Sequence, residues 1–427
     1  MHIWLHSVRV GGILAVLLVL LAGCSPALAR EQAQRLFVQS QAEASTPPAD
    51  PSNRILLQST DGNLYLVSPD GKERFALTND ASRRRAYGQP TWSPDGQHIA
   101  WNAITREGAA LLVSRYDGSE RKQLDLPFLP FYIYWSPSGQ QLAYLSNWRV
   151  VDGLSMALRL VDLGQAEETV KTLAAGQPFY FSWSPDGSRL LTHIDGERVE
   201  VYDLSAGDKT AQSLAISGSA FSAPQWSADG SRLIYAVTDA QTQRLLLADP
   251  AGQAVGDVTD YDGRISFQLS PNGRQVAYVA TDADVEASTL GPLYVVDAET
   301  QQTRELSDRP VIAFYWSPDG QKLAFLTLDT VNGHIGLRWN IWDGGETRPY
   351  AGFFPSQELL ENYIPFFDQY AQSHRIWSPQ SDAVVFAGTL EDGKSGVWVQ
   401  PIGASGDEQT AAPVNIGAGV IATWSPH

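Results

Sequence analysis

Arginine and aromatic side chains recur in five short segments whose chemistry suits a polar ligand. They are NDASRRRAYGQPT with Arg83, Arg84 and Arg85, LPFLPFYIY with Phe131 and Tyr132, QPFYFS with Phe179 and Tyr180, DYDGRISFQ with Arg264, and SDRPVIAFY with Arg309. Guanidinium groups bind carboxylates, and aromatic rings stack on flat ligand groups. These residues form a candidate surface for a peptide, a glycan or a protein. In the alternative, the aromatics are core and the arginines pair with Asp80, Asp260 or Asp308.

A sixth segment, GFFPSQELLENYIPFFDQYAQSHRI, extends the candidate surface with Phe366, Phe367 and Tyr370. Leu359, Leu360, Tyr363 and Ile364 fall at helical intervals, and Pro365 breaks or kinks that helix. We expect a helical insertion at about 354–374. It either caps a channel, docks on neighbouring elements, or presents an apolar face to a partner.

Signals for catalysis are poor. The sequence contains no Gly-x-Ser-x-Gly elbow and no His-Glu-x-x-His motif. Asp282, Asp284 and Glu286 have a spacing that resembles a calcium loop, but the glycine and the later glutamate of such a loop are missing. We therefore expect no catalytic residues, no metal and no cofactor.

The elements that position these residues come from a repeat built on Trp-Ser-Pro. Its copies begin at Trp92, Trp135, Trp183, Trp226, Leu269, Trp316, Trp377 and Trp424, separated by 43, 48, 43, 43, 47, 61 and 47 residues. An Asp-Gly turn or a relative follows the motif in most copies, because glycine accepts the positive φ of a tight turn. Each period accommodates four short antiparallel strands, which predicts one propeller blade per copy.

The two ends of the chain complete each other in this scheme. The final copy stops at WSPH, which supplies one inner strand, and residues 53–78 supply three outer strands without an inner one. The motif at Ser68 lacks the tryptophan and belongs to the second turn of its blade. We therefore predict an all-β fold, a single eight-bladed β-propeller at 53–427 closed by a blade split between the two ends.

The repeat resembles that of the PD40 or TolB-like β-propeller family, in which Trp-Ser-Pro-Asp-Gly precedes an aliphatic-Ala-aromatic strand. The resemblance covers about 375 residues. It implies that the repeat turns lie on one face and that the segments leading into the inner strands lie on the other, at the mouth of a central channel. The candidate residues above would then meet at that mouth. TolB itself resembles a six-bladed propeller behind a separate α/β domain, so its partners do not transfer to this chain.

Charge and the N-terminus limit the location and the partners. The net charge of −17 argues against nucleic-acid binding. Arg9 precedes an apolar run, and Leu21-Ala22-Gly23-Cys24 resembles a bacterial lipobox. Residues 1–23 are therefore predicted to be a lipoprotein signal peptide, with Cys24 lipidated and 24–52 a flexible tether. The alternative is an ordinary signal peptide cut after Ala29.

These observations predict an exported protein, lipid-anchored to the outer face of the cytoplasmic membrane or to the outer membrane. Its body would be a monomeric, non-catalytic binding or scaffolding propeller that engages an envelope protein, a peptide or a glycan at the channel mouth. The alternative function is a polysaccharide- or peptide-processing enzyme with its site in the channel.

Overall fold

The computed structural model describes residues 46–150, 153–164, 169–205, 211–214, 222–239, 242–281, 290–403 and 411–427. Cys24, the signal segment, most of the predicted tether, and Asp282, Asp284 and Glu286 lie outside these residues. No helix in the described ranges is long and apolar enough to cross a membrane.

The basic unit of the fold is a sheet of four sequential antiparallel strands. In the first complete unit these are β4 (Ala86–Trp92), β5 (His98–Ile104), β6 (Ala109–Arg115) and β7 (Lys122–Leu126). The first three strands are mostly buried, whereas the fourth is mostly exposed. Strands buried on both faces read as continuous apolar runs, which explains segments such as the one from Ala109 to Val113.

Three further sheets repeat this order. They contain β8 (Pro130–Trp135), β9 (Gln141–Val150), β10 (Gly153–Asp162) and β11 (Val170–Gly176); β12 (Phe179–Trp183), β13 (Arg189–Ile194), β14 (Arg198–Asp203) and β15 (Ala211–Ser213); and β16 (Gln225–Trp226), β17 (Leu233–Asp239), β18 (Thr242–Ala248) and β19 (Ala254–Tyr261).

A ten-stranded sheet continues the series without a break in pairing. Its strands are β20 (Arg264–Leu269), β21 (Gln275–Thr281), β22 (Gly291–Asp297), β23 (Thr303–Trp316), β24 (Leu323–Val331), β25 (His334–Trp342), β26 (Thr347–Pro355), β27 (Ala383–Leu390), β28 (Ser395–Pro401) and β29 (Val414–Gly417). The long β23 pairs with β22 mainly through its first half and with β24 through its second half. One strand thus serves as the outer strand of one unit and the inner strand of the next.

The first and last strands of the chain lie side by side. β30 (Ile421–Trp424) pairs antiparallel with β1 (Ile55–Gln58), which continues through β2 (Leu64–Val67) to β3 (Arg74–Ala76). The motif at Ser68 forms the turn between β2 and β3, as its missing tryptophan predicts. The backbone N–H of Asn53 also donates to the carbonyl oxygen of His427.

The repeat turns use one set of hydrogen bonds. In the turn after β12, the Ser184 hydroxyl donates to Asp186 and accepts the backbone N–H of Arg189 at 2.9 Å. Gly187 takes a φ of +71°, which an L side chain rarely adopts. The copy at Trp377 has Ser381 at this position with a φ of +59°. The polar residues of the motif therefore shape the turn rather than form a site.

Four of the repeated tryptophans link consecutive repeat units. Their indole Nε1 groups donate to a carbonyl oxygen of the preceding unit, on the residue before its own Trp or Leu: Trp135 to Thr91 at 3.4 Å, Trp183 to Tyr134 at 3.3 Å, Trp316 to Gln268 at 3.2 Å and Trp377 to Tyr315 at 3.0 Å. In these four copies the motif tryptophan therefore joins its unit to the preceding one in the same way.

Between β26 and β27 the chain forms the insertion, residues 356–376. It contains a π-helical turn (Leu359–Tyr363), a 3₁₀ turn (Ile364–Phe366) and a short α-helix, α1 (Phe367–Tyr370). Pro365 lies in the middle turn, where the sequence predicts a break. The helical part is shorter than the predicted range because β26 continues to Pro355.

Candidate functional site

The insertion lies among the inner strands of most of the sheets. The Tyr132 hydroxyl on β8 donates to the carbonyl oxygen of Gln369 at 3.0 Å, and the Tyr370 hydroxyl donates to Gln89 on β4 at 2.8 Å. The backbone N–H of Trp424 on β30 donates to the carbonyl oxygen of Arg375 at 2.8 Å. α1 also contacts β12, β20 and β23. The insertion therefore fills the space that the inner strands surround.

Packing between aromatic rings adds to this contact between the insertion and the inner strands. Phe367 packs on Phe314 with ring centroids 4.7 Å apart, and Tyr370 meets Tyr132 edge-to-face at 5.3 Å. Tyr363, Tyr370 and His374 form a cluster with centroid separations of 4.5 to 5.3 Å. Such edge-to-face and offset contacts add to the free energy gained by burial alone.

This packing corrects the expected position of several candidate residues. Tyr132, Phe179, Tyr180, Phe367 and Tyr370 are buried in the hydrophobic core rather than displayed at an open mouth. Phe131 is half-buried, and Phe366 alone among the aromatic candidates is exposed, at 38%. Their spacing in the sequence is the same for a core residue and for a ligand-binding one, so only the location of the insertion distinguishes the two roles.

Two ionisable side chains, Asp368 and His374, are buried with the insertion. Burial raises the pKa of Asp368 to about 6, although its carboxylate accepts backbone N–H groups from Gln369 and Ala223. Burial lowers the pKa of His374 to about 3. Loss of water disfavours the charged form of each group. Shifts of this kind also occur at catalytic sites, but here each group lies within the packed centre.

The candidate arginines occupy the rim. Ser82 and Arg85 exchange backbone hydrogen bonds at 2.8 and 3.1 Å, forming a tight turn with Arg83 and Arg84 exposed at its tip. Arg85 pairs with Asp80 at 3.3 Å, which confirms the local alternative for this residue. Arg264 is half-buried and Arg309 is exposed. The structure therefore separates the predicted site into a buried aromatic centre and an exposed rim.

The sequence did not indicate that large apolar side chains are exposed on the face that carries these arginines. Ala86 at the start of β4 pairs with Ile104 at the end of β5, so the hairpins between second and third strands lie on the face where the inner strands begin. We call this the mouth face and the opposite one, with the repeat turns, the turn face. Among the residues that the structure describes, five of the seven large exposed apolar side chains lie on the mouth face: Ile104, Trp148, Val150, Ile335 and Phe366. Four of them lie within two residues of the end of a hairpin strand, which was the missed signal.

The described residues contain no group of three or more His, Cys, Asp or Glu side chains that could hold a metal ion. Their exposed groups on the mouth face are mainly arginines, carboxylates and apolar tips. These groups can bind a partner through ion pairs and through burial of apolar area. They include no obvious acid–base pair for catalysis.

A family model described as the TolB beta propeller domain matches residues 56–309. No curated protein matches the chain. TolB from Acinetobacter baumannii is 21% identical, with 62% of this chain and 66% of that chain aligned and a TM-score of 0.38.

Solved structures with higher TM-scores share the fold. The dihydro-heme d1 dehydrogenase NirN is 13% identical over 90% of this chain and 78% of its own, with a TM-score of 0.57. An oligogalacturonate lyase in complex with manganese is 16% identical over 84% of this chain and 99% of its own, with a TM-score of 0.50. At these identities the likeness concerns the fold alone.

Proposed function

The chain belongs to the TolB β-propeller family, and we propose that it is an exported, non-catalytic binding or scaffolding propeller. Its partner, an envelope protein, a peptide or a glycan, would bind on the mouth face. Phe366, Ile335 and the exposed arginines would contribute to that surface. The buried aromatics would support it from beneath by holding the insertion in place.

The filled centre is the observation that carries this proposal. α1 and its flanking turns contact inner strands from both halves of the chain through hydrogen bonds and ring packing. An enzyme with its site in the channel, the alternative function, would need this centre to open. A binding platform uses the packed insertion as it stands, because a rigid surface loses less entropy on association.

We also propose that the sheets form one closed ring of eight blades, with β3, β2, β1 and β30 as the split blade. Contacts between repeat turns support closure. A Cβ added at Gly187 would lie 3.5 Å from Pro137 of the preceding turn, and one added at Gly96 would lie 3.4 Å from Pro426. The C-terminal turn thus touches its neighbour as the internal turns do.

Site-specific photo-crosslinking tests the proposed function. A benzophenone amino acid is placed at Ile335 or Phe366 on the mouth face, and at Ser231 or Gln140, which are exposed on the turn face. We expect adducts in intact envelopes from the first pair and not from the second. Equal adducts from both faces, or adducts from the turn face alone, would refute a mouth-face partner.

The location is part of the same proposal. We infer from the lipobox that Cys24 is lipidated and that the residues after it tether the body to the membrane. Changing Cys24 to Ser is expected to release the protein into the aqueous fraction, whereas the melting temperature of the body stays the same. A variant that still partitions with the detergent phase would contradict the anchor.

A further inference from the structure

One sector of the mouth face carries several exposed arginines, in a segment that is close to neutral although the chain as a whole is acidic. Residues 79–164 carry nine Arg and Lys against eight Asp and Glu, whereas the whole chain has a net charge of −17. Four arginines of this segment, Arg83, Arg84, Arg106 and Arg149, are exposed on the mouth face. No ion pair of these four is found among the described residues. Their charge is therefore available to an anionic surface.

These arginines lie in neighbouring turns and hairpins of the mouth face. Arg83 and Arg84 occupy the turn before β4, and Arg106 lies in the hairpin between β5 and β6, beside it. The pKa of the Glu107 carboxyl is lowered first by hydrogen bonds to its own backbone and to Thr105, and further by the charges of Arg106 and Arg85 nearby. Arg149 lies on the neighbouring sheet, which is joined to this one by the Asn102 side-chain bond to the Pro130 carbonyl oxygen at 2.7 Å.

The β9–β10 hairpin adds an apolar tip to this sector. β8 begins at Pro130 beside Ser146, and β9 continues for four more residues, Asn147 to Val150, all exposed. Trp148 is 37% exposed and Val150 is 45% exposed. Arg159 lies over the Trp148 ring at 4.6 Å from its centroid. The hairpin thus projects an indole, an aliphatic side chain and cations beyond the inner strand.

We propose that this sector, defined by Arg83, Arg84, Arg106, Arg149, Trp148, Val150 and Ile104, lies against an anionic lipid surface. Arginines would bind lipid phosphates, and the apolar tips would enter the headgroup region. Tryptophan is favoured at membrane interfaces because its ring is amphipathic, and cationic side chains are attracted to anionic leaflets. Membrane contact here would fix the orientation of the tethered body.

The shape of the sector favours a membrane over an acidic peptide. A peptide that gains affinity from apolar contact is normally held in a groove or along a sheet edge. Here the apolar side chains stand on separate hairpin tips that project outward. A lipid surface is soft and accommodates such tips while its phosphates meet the arginines. This sector shares its exposed arginines with the proposed partner surface but does not include Ile335 and Phe366, so crosslinking from those two residues tests the partner site independently of vesicle binding.

Co-sedimentation with vesicles tests the proposal. Residues 46–427 contain every described strand and can be prepared without the apolar N-terminal run. We expect binding to vesicles of phosphatidylglycerol mixed with phosphatidylcholine, weak binding to phosphatidylcholine alone, and loss of binding at about 1 M salt, where screening acts over only about 3 Å.

Charge-matched variants identify the surface. R83Q together with R84Q should weaken binding about 25-fold, since each arginine near an anionic leaflet contributes about fivefold. R232Q with R274Q removes the same charge from exposed positions on the turn face and should leave binding unchanged. W148A and V150S should each weaken binding severalfold; the second also serves if the first does not fold.

Three results would overturn the proposal. The first is equal binding to neutral and anionic vesicles. The second is wild-type binding by R83Q with R84Q while their melting temperature is unchanged. The third is binding of poly-glutamate without binding of vesicles, which would assign the sector to an acidic protein segment. Failure of vesicle binding with persistent crosslinks from Ile335 would leave the proposed function intact.

Discussion

At the scale of single residues, the tryptophan of the repeat acts through its indole nitrogen as well as through its size. The Trp377 Nε1 group donates to the Tyr315 carbonyl oxygen at 3.0 Å, whereas the Trp92 Nε1 group has no hydrogen-bond partner in the described part of the chain. Both side chains are buried. The two residues therefore separate the contribution of the link between sheets from the contribution of burial.

We expect Trp377→Phe to destabilise the fold more than Trp92→Phe. Both changes remove a similar apolar volume, but only the first removes the hydrogen bond and leaves a buried carbonyl oxygen without its donor. The difference should be about 1 kcal/mol in the free energy of unfolding, measured by urea titration. If Trp92→Phe costs as much as Trp377→Phe, the indole link contributes nothing to stability.

The buried Asp368 and His374 predict opposing effects of pH on stability. The folded pKa of Asp368 is raised from 3.8 to about 6, so its contribution to stability is largest at low pH and is lost as pH rises from about 4 to about 6. The folded pKa of His374 is lowered from 6.5 to about 3, so its contribution is present above about pH 6.5 and is lost as pH falls.

Asp368→Asn should reveal this balance. Relative to wild type, the variant should gain stability as pH rises through the window from about 4 to about 6. The gain should approach about 3 kcal/mol, because the shift of about two units corresponds to 1.36 kcal/mol per unit. Unfolding curves recorded across this window test the prediction. A difference between the two proteins that does not vary with pH would contradict the burial of an ionisable Asp368.

At the scale of elements, the insertion distinguishes two adjacent phenylalanines. Phe367 is 1% exposed and packs on Phe314, whereas Phe366 is 38% exposed. The two residues are adjacent in the sequence, so the same substitution at each position compares the centre of the molecule with its surface.

Phe367→Ala should cost about 3–5 kcal/mol, because it leaves a cavity in the centre. Phe366→Ala should change stability by less than about 0.5 kcal/mol and should reduce crosslinking or binding on the mouth face. Melting curves and denaturant titrations give the comparison. Equal and small effects of the two substitutions would mean that the insertion is not docked.

The sequence predicts the strands and turns well because residues within each repeat determine the local structure of that repeat. Pro and Gly at the repeat turns, the alternation of buried strands, and the missing tryptophan at Ser68 each specify a local structure. The sequence does not specify where the insertion goes. Tyr132, Tyr180 and Tyr370 have the same local patterns whether they face ligand or protein. Their burial arises from contacts between residues far apart in the sequence, such as the bond between Tyr132 and Gln369, which are 237 positions apart.

At the scale of the whole molecule, the proposed ring depends on the pairing of β1 with β30, the first and last strands of the chain. β30 is the only partner of β1 on one side, and Ile55 pairs with Trp424 at the edge of that ladder. Removing residues 418–427 should expose unpaired backbone on β1 and on the adjacent sheet. We expect loss of cooperative unfolding or aggregation. Removing residues 46–52, which precede β1, is the control and should leave one cooperative transition. A C-terminal truncation that stays monomeric with an unchanged melting temperature would contradict closure.

Thiol protection tests most directly whether the centre of the molecule is filled and the mouth face alone is open to a partner. The body without Cys24 has no other cysteine, so a single thiol can be placed at Gln369, which is 4% exposed, or at Phe366 as the control. Within the described ranges the Gln369 side-chain oxygen has no hydrogen-bond partner, so its loss should cost little. A filled centre predicts that Gln369→Cys reacts with maleimide at least about a thousandfold more slowly than Phe366→Cys, equivalent to an opening free energy of about 4 kcal/mol. Similar rates at the two positions would show that the insertion opens readily and would favour a site inside the channel.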